Sequence, residues 1–215
     1  MRYSLAALAA AFVLVGAPAR GAAQSGCERE LKAPEPGEWA EYESEIEGEH
    51  VVMRYSRLPQ QAEGDSSNVW LEISVNKGKK AKDATIYQVL VPEFPFRTEQ
   101  VQELVFKAGE SKATKPGPMM MRVIGPGLGK SGALKPADVC EKVTLVGNER
   151  LTVQGGTFST RHYKYDQGTD PYETWVSAEV PFGLVKFTGR RFTMELSRSG
   201  KDAKSSIKET PEEAP

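Results

Sequence analysis

From Trp39 onward, apolar and polar positions alternate with period two, the spacing of strands with one buried face. In AEYESEI, the residues Ala40, Tyr42, Ser44 and Ile46 alternate with Glu41, Glu43 and Glu45, and the acids are expected to face water. Gly48-Glu49 reads as a turn into HVVMRYSR, where Val51, Met53 and Tyr55 share a face, so residues 39–57 predict a hairpin. A polar loop over Gln60–Asn68 leads to VWLEISV, and the basic loop NKGKKAKD leads on to TIYQVLV. QELVFKAG, KVTLVG, RLTVQGG, TFSTRHYKY, ETWVSAEV, LVKFTG and RFTMELSR repeat the theme. Thr98 offers a helix cap, but the β-rich LVF and the arrival of Gly109 favour a strand there.

Short strands punctuated by Gly, Pro, Asn and Asp predict an all-β chain with one antiparallel sheet. Gly155-Gly156 marks a hairpin turn, and Gly183 after Val180-Pro181-Phe182 marks a bulge or bend, so the sheet is expected to curve. A curved sheet with one apolar face must cover that face with a helix, a second sheet or a ligand. The pattern predicts one domain over residues 38–208, preceded by an extension over 24–37 and followed by a polar, disordered tail over 209–215.

Residues 1–23 have the form of a secretory signal peptide: Arg2, then the eleven-residue apolar run Leu5–Val15, then small residues ending APA and GAA. The run is too short to span a bilayer as a helix. Cleavage after Ala23 is expected to leave a chain starting near Gln24, periplasmic or secreted. It removes Arg2 and Arg20 and no acid, taking the formal charge from −1 to −3. That balance offers no basic face for nucleic acid. About 190 residues remain, enough for one substantial core. Both cysteines, Cys27 and Cys140, survive cleavage, and an exported chain with an even pair predicts one disulfide. The alternative is lipidation of Cys27, disfavoured by Gln24 where a lipobox wants an aliphatic residue.

GPGLGKSG (residues 125–132) looks like a phosphate cradle, but a P-loop needs its first glycine at position 124, which is Ile124. Gly127, Gly129 and Gly132 satisfy the GxGxxG spacing, yet Pro136 interrupts the helix that would hold a pyrophosphate. The stretch reads as a loop, with no nucleotide and no cofactor expected. His50 and His162 lie on different predicted strands; His162 near Asp166 and Asp170 lacks tight metal-ligand spacing and reads as a surface histidine. No Gly-x-Ser-x-Gly elbow occurs, and the carboxylates of EYESEIEGE read as a solvated face. No catalytic residue, no metal site and no enzymatic activity are expected. Better binding candidates are the loop-flanked apolar residues Phe94, Phe96, Met119, Met120, Met121, Phe182 and Leu184, either as core edge or as the rim of a ligand mouth. Trp70 and Trp175 fall opposite the aliphatic stripes, so one of them is expected to be exposed.

The phrase from Gly147 to Phe158 follows a G-x-E-x-V-x-V-x-x-G-x-F pattern with Leu151 at the first valine, and is followed by ETWVS (173–177), VPFGLVK (180–186) and MELSRSGKDAKSSI (194–207). In this order they resemble exported bacterial proteins of the lipoprotein-carrier, or outer-membrane lipoprotein-sorting, superfamily, over residues 145–208. The resemblance implies a sheet curved into an incomplete barrel around an apolar cavity that holds acyl chains. Two functions are thus expected to compete: a non-catalytic periplasmic protein holding a lipid or other apolar ligand in its concave face, and an envelope scaffold whose partner is another protein. The exported chain is expected to begin at Gln24 and to weigh two hydrogens less than its reduced form; intact-mass measurement of periplasmic protein checks both.

Overall fold

The computed structural model describes residues 26–46, 48–61, 68–77, 83–117, 138–166, 170–190 and 192–214. Twelve strands build one sheet: β1 (Trp39–Ile46), β2 (Glu49–Gln61), β3 (Val69–Asn76), β4 (Thr85–Val91), β5 (Glu103–Ala108), β6 (Thr114–Pro116), β7 (Thr144–Val153), β8 (Gly156–Tyr165), β9 (Tyr172–Val176), β10 (Leu184–Thr188), β11 (Phe192–Gly200) and β12 (Glu212–Ala214). Their order is β12-β6-β5-β4-β3-β2-β1-β11-β10-β9-β8-β7. The sheet is curved, open, and not closed into a barrel. Among the described residues the helical segments are 3-10 turns, and no helix is long and apolar enough to cross a membrane.

Two meanders, β1 to β6 and β7 to β11, are joined by antiparallel pairing of β1 with β11. Register then aligns the apolar residues across strands. Leu196 faces Tyr42, Tyr42 faces Met53, and Met53 faces Val75; one row on, Ala40 faces Tyr55, Tyr55 faces Ile73, and Ile73 faces Tyr87. Such cross-strand neighbours are the unit of sheet stabilisation. The intervening residues form a polar face, with Glu41 opposite Arg54 and Ser56 opposite Glu72. Bulges at Glu41/Tyr42 in the β1–β11 pair, Leu184/Lys186 in β10–β9 and Leu145/Gly147 in β7–β8 supply the bends.

The chain itself covers the apolar face. Cys27 and Leu31 from the N-terminal extension, Phe94 and Phe96 from the loop after β4, Val180 and Phe182 from the turn before β10, and Cys140 all join the main core cluster. Cys27 and Cys140 form a disulfide with Cα atoms 5.3 Å apart, tying the extension to the approach to β7. Gly183 has φ +76°, and a Cβ there would lie 2.7 Å from the Leu31 Cα, so the extension's backbone rests directly on this turn. Phe182 also sits at positive φ (67°), a strained conformation held by burial of its ring.

Several expectations are corrected. Thr98–Gln100 is a 3-10 turn, closed by the Gln100 N–H on the Arg97 carbonyl and by the Arg97 N–H on the Gln100 side chain; the strand begins only at Glu103. Glu41 does not face water: it is 8% exposed, covered by Arg198, whose Nε donates to it at 2.7 Å. The tail expected to be disordered carries β12, which adds to the antiparallel sheet by one short parallel pairing with β6, and its Glu212 pairs with Lys112 beside that edge.

The Cys27→Ser/Cys140→Ser double variant is expected to lose about 2–5 kcal/mol of unfolding free energy in denaturant titrations, since the bond closes a long loop. Gly183→Ala is expected to cost about 1–3 kcal/mol in the same assay, from φ strain and the Leu31 backbone contact.

Candidate functional site

The residues expected to rim an apolar mouth are core where they are described. Phe94, Phe96, Phe182 and Leu184 are 9%, 0%, 3% and 8% exposed. Phe94 meets Phe182 edge-on at 5.1 Å, Phe182 leans on Tyr55 at 5.9 Å, and Tyr55 meets Tyr42 at 5.8 Å. The Tyr42 hydroxyl donates to the Leu184 carbonyl. Burial pushes the Tyr42 phenol well above its ordinary range and the Tyr55 phenol up to about 12. Met119, Met120 and Met121, like the GPGLGKSG stretch, lie outside the described residues. Beside Phe94 there is a gap of about 190 Å³, lined by residues that include Val69, Leu71 and Pro92. That is smaller than the roughly 300–1,000 Å³ of ligand pockets.

The opposite, polar face carries a groove of about 970 Å³. Its floor is formed by β1 to β4 and β11, through Glu43, Arg54, Ser56, Ser74 and the Glu41–Arg198 ion pair. Its wall is residues 201–209, which leave β11 and cross this face as a strap. The strap begins where the Ala203 N–H bonds the Gly37 carbonyl and the Trp39 indole N–H donates to Asp202 at 2.7 Å. The Arg54 guanidinium lies over the Trp39 ring, 3.8 Å from its centroid, and lines the groove.

Glu72 is the strap's clasp. Its carboxylate is 4% exposed and accepts from the Ser206 N–H (2.9 Å), the Ser206 hydroxyl (2.6 Å) and the Gln88 amide (2.8 Å), which also donates to Ser205. Beyond it, Ile207 packs with Val105 and Ala113 in a small second core. A second buried acid, Glu38, anchors the strap's start through Lys201 at 3.2 Å. Burial pushes the Glu38 carboxyl up, but the Glu35 N–H, Lys201 and Lys32 outweigh it, and the net position is below the ordinary value. Asp202 is lowered by the Trp39 indole, and Glu209 is held at about 2 by its bond to Lys107.

His162, expected to be a bland surface residue, is only 16% exposed in its side chain. Its Nε2 lies 3.0 Å from Glu173 and its Nδ1 3.3 Å from Glu149, and its ring stacks on Trp175 at 4.2 Å. Trp175 donates to Glu149, so both carboxylates and both rings form one closed cluster. Neither this indole nor Trp70 is fully exposed; both are half-buried. A row of stacked rings, Tyr165, Tyr172, Phe187 and Phe192, runs across β8 to β11 at spacings of 4.9, 5.1 and 5.2 Å. Its sequence trace is one aromatic at or next to the end of β8 and β10 and at the start of β9 and β11, a weak mark among many aromatics. Among the described residues no group of three or more His, Cys, Asp or Glu is placed to hold a metal ion.

No protein-family model matches the sequence, and no curated protein matches it. Among solved structures, the chain is similar to MucB in complex with MucA(peri), with a TM-score of 0.44 and 10% identity over 86% of this chain and 56% of that one. It is similar to the Pseudomonas aeruginosa MucA/MucB complex at a TM-score of 0.41 and 12% identity, over 83% of this chain and 55% of that one. A Bacteroides fragilis protein with a YmcC-like fold gives 0.36 and 11%, over 80% of this chain and 99% of that one. The chain thus spans 55–56% of these two MucB-containing matches. The resemblance of residues 145–208 to the lipoprotein carriers finds no matching family model.

Replacing Glu72 by Ala is expected to remove the bonds it accepts from the Ser206 N–H and hydroxyl and from the Gln88 amide and to cost about 1–3 kcal/mol, read as faster hydrogen exchange over residues 201–208. Acid is expected to loosen the strap in steps. Glu38, Asp202 and Glu209 all have lowered values when folded, so their contributions are complete at neutral pH and are lost as pH falls through those values. The Trp39 indole proton, followed by NMR from pH 7 to 2, should move below about pH 4, and the Lys107–Glu209 ion pair should break last, near pH 2.

Proposed function

We propose that the protein is an exported, non-catalytic interaction domain of the bacterial envelope that binds its partner through polar surface. One observation carries this reading: among the described residues the apolar face of the sheet is filled by the chain's own side chains, with Phe94, Phe96 and Phe182 packed into the core, while a groove on the other face is lined mostly by polar residues. A domain that holds an acyl chain needs an unfilled apolar cavity. Here the same face buries Leu31 and the Cys27–Cys140 disulfide against the sheet. Export is supported by the leader-like residues 1–23 and by the disulfide, which persists in an oxidising compartment.

Partner recognition on such a surface rests on hydrogen bonds and charge. Glu43, Ser74 and the Trp39-stacked Arg54 line the groove, and these are the groups a partner meets there. The experiment is native mass spectrometry of mature protein from the periplasm with organic-solvent extraction, beside photo-crosslinking in cells from a probe at Ser74. A bare mass and a protein adduct at Ser74 are expected. A co-purifying acyl species, lost when Phe182 or Leu184 is made charged, would overturn the reading in favour of lipid carriage.

A further inference from the structure

The edge of the sheet at β6 carries lysines, and the chain's own acidic tail sits on them. Lys107 on β5 and Lys112 and Lys115 beside or on β6 lie within a nine-residue stretch. From the tail, Glu209 bonds Lys107, Glu212 bonds Lys112, and Glu213 acts on Lys115, which is also held by Glu103 at 2.7 Å. The backbone contribution is small. β12 is three residues long, pairing Glu212 with Thr114, Glu213 with Lys115 and Ala214 with Pro116. The Glu212 N–H donates to the Ala113 carbonyl and the Gly117 N–H to the Ala214 carbonyl, the ordinary parallel-ladder bonds, so the N–H that Pro116 lacks is not needed.

We infer that the β6 edge is a docking strip for an extended acidic polypeptide segment of another protein, and that residues 209–214 are an internal stand-in that must leave for the partner to bind. The inference rests on reading the protein as an interaction domain and names a second surface for it. Three observations converge. An unpaired strand edge accepts extended backbone, and it does so here in the uncommon parallel sense, within a sheet that is otherwise antiparallel. The side chains over that edge are complementary in charge to the segment seated on it. The attachment is built to exchange: Lys112 and Glu212 are 76% and 60% exposed, so their pair is weak and screened by salt. Ser206, clasped by the buried Glu72, and the packed Ile207 precede this segment, so the tail can lift from β6 while the strap stays fastened as far as Ile207.

The test uses the full mature chain and a fluorescein-labelled, amidated peptide with the sequence of Lys208–Ala214, read by anisotropy. Because the tethered tail competes at high effective concentration, wild type should bind the probe weakly, and Glu209→Gln/Glu212→Gln/Glu213→Gln should bind it about tenfold more tightly. Adding Lys112→Glu/Lys115→Glu to that variant should abolish binding, and raising salt to 0.5 M should weaken it, an ionic-strength dependence expected of exposed ion pairs at roughly this concentration. All changed residues are at the surface, and thermal unfolding of each variant verifies that it is folded. Equal binding to wild type and the tail variant, binding that survives lysine reversal, or no binding to any variant would each overturn the inference. Since the probe reads the β6 edge and the Ser74 crosslink reads the groove, failure here is distinguishable from failure of the interaction-domain reading.

Discussion

The pairing of β1 with β11 is the joint on which the molecule depends. Each meander can form from neighbouring strands, but only this ladder, between residues about 150 positions apart, brings Leu196 opposite Tyr42 and Met194 opposite Ser44. A slip of one residue would turn every side chain of one meander to the wrong face. The bulge at Glu41/Tyr42 sets the local register, and the extra residue Ser197 donates its hydroxyl to the Glu41 carbonyl. From this joint the strap departs at Gly200, and against it the Gly155 N–H at the β7–β8 turn bonds the Leu196 carbonyl.

A sheet this wide has two faces to satisfy, and the chain treats them differently. On the apolar face, burial of Leu31, Phe94, Phe96 and Phe182 against the aliphatic rows contributes on the order of 2 kcal/mol per large side chain. On the polar face, the strap is held by specific hydrogen bonds to two buried acids, Glu38 and Glu72. Each buried carboxylate is costly unless its oxygens are bonded, so each makes the strap's position definite. This division explains why the groove beside the strap is lined mostly by polar residues.

Much of the fold was legible because period-two alternation directly encodes which side of a strand is buried. The hairpin turns at Gly48 and at Gly155-Gly156 and the bend at Gly183 follow from backbone conformations that favour glycine. The candidate site was far less legible. Glu72 in VWLEISV looks like any outward acid; its partners Ser206 and Ser205 are more than 110 residues away from Glu72 and Gln88. Phe182 is apolar and loop-flanked, but those marks fit a ligand rim and a core plug equally, and only the packing against Phe94 and Tyr55 separates the two.

The sequence by itself therefore determined the all-β class, the strand faces and the cysteine pair, because these depend on local spacing and on residue chemistry. Tertiary structure alone decided that the apolar face is filled from within, that Glu41 and Glu72 are buried, and that the acidic tail lies along β6. Those outcomes depend on which distant segments cross the sheet and where, and alternation along a strand carries no information about what lies above it.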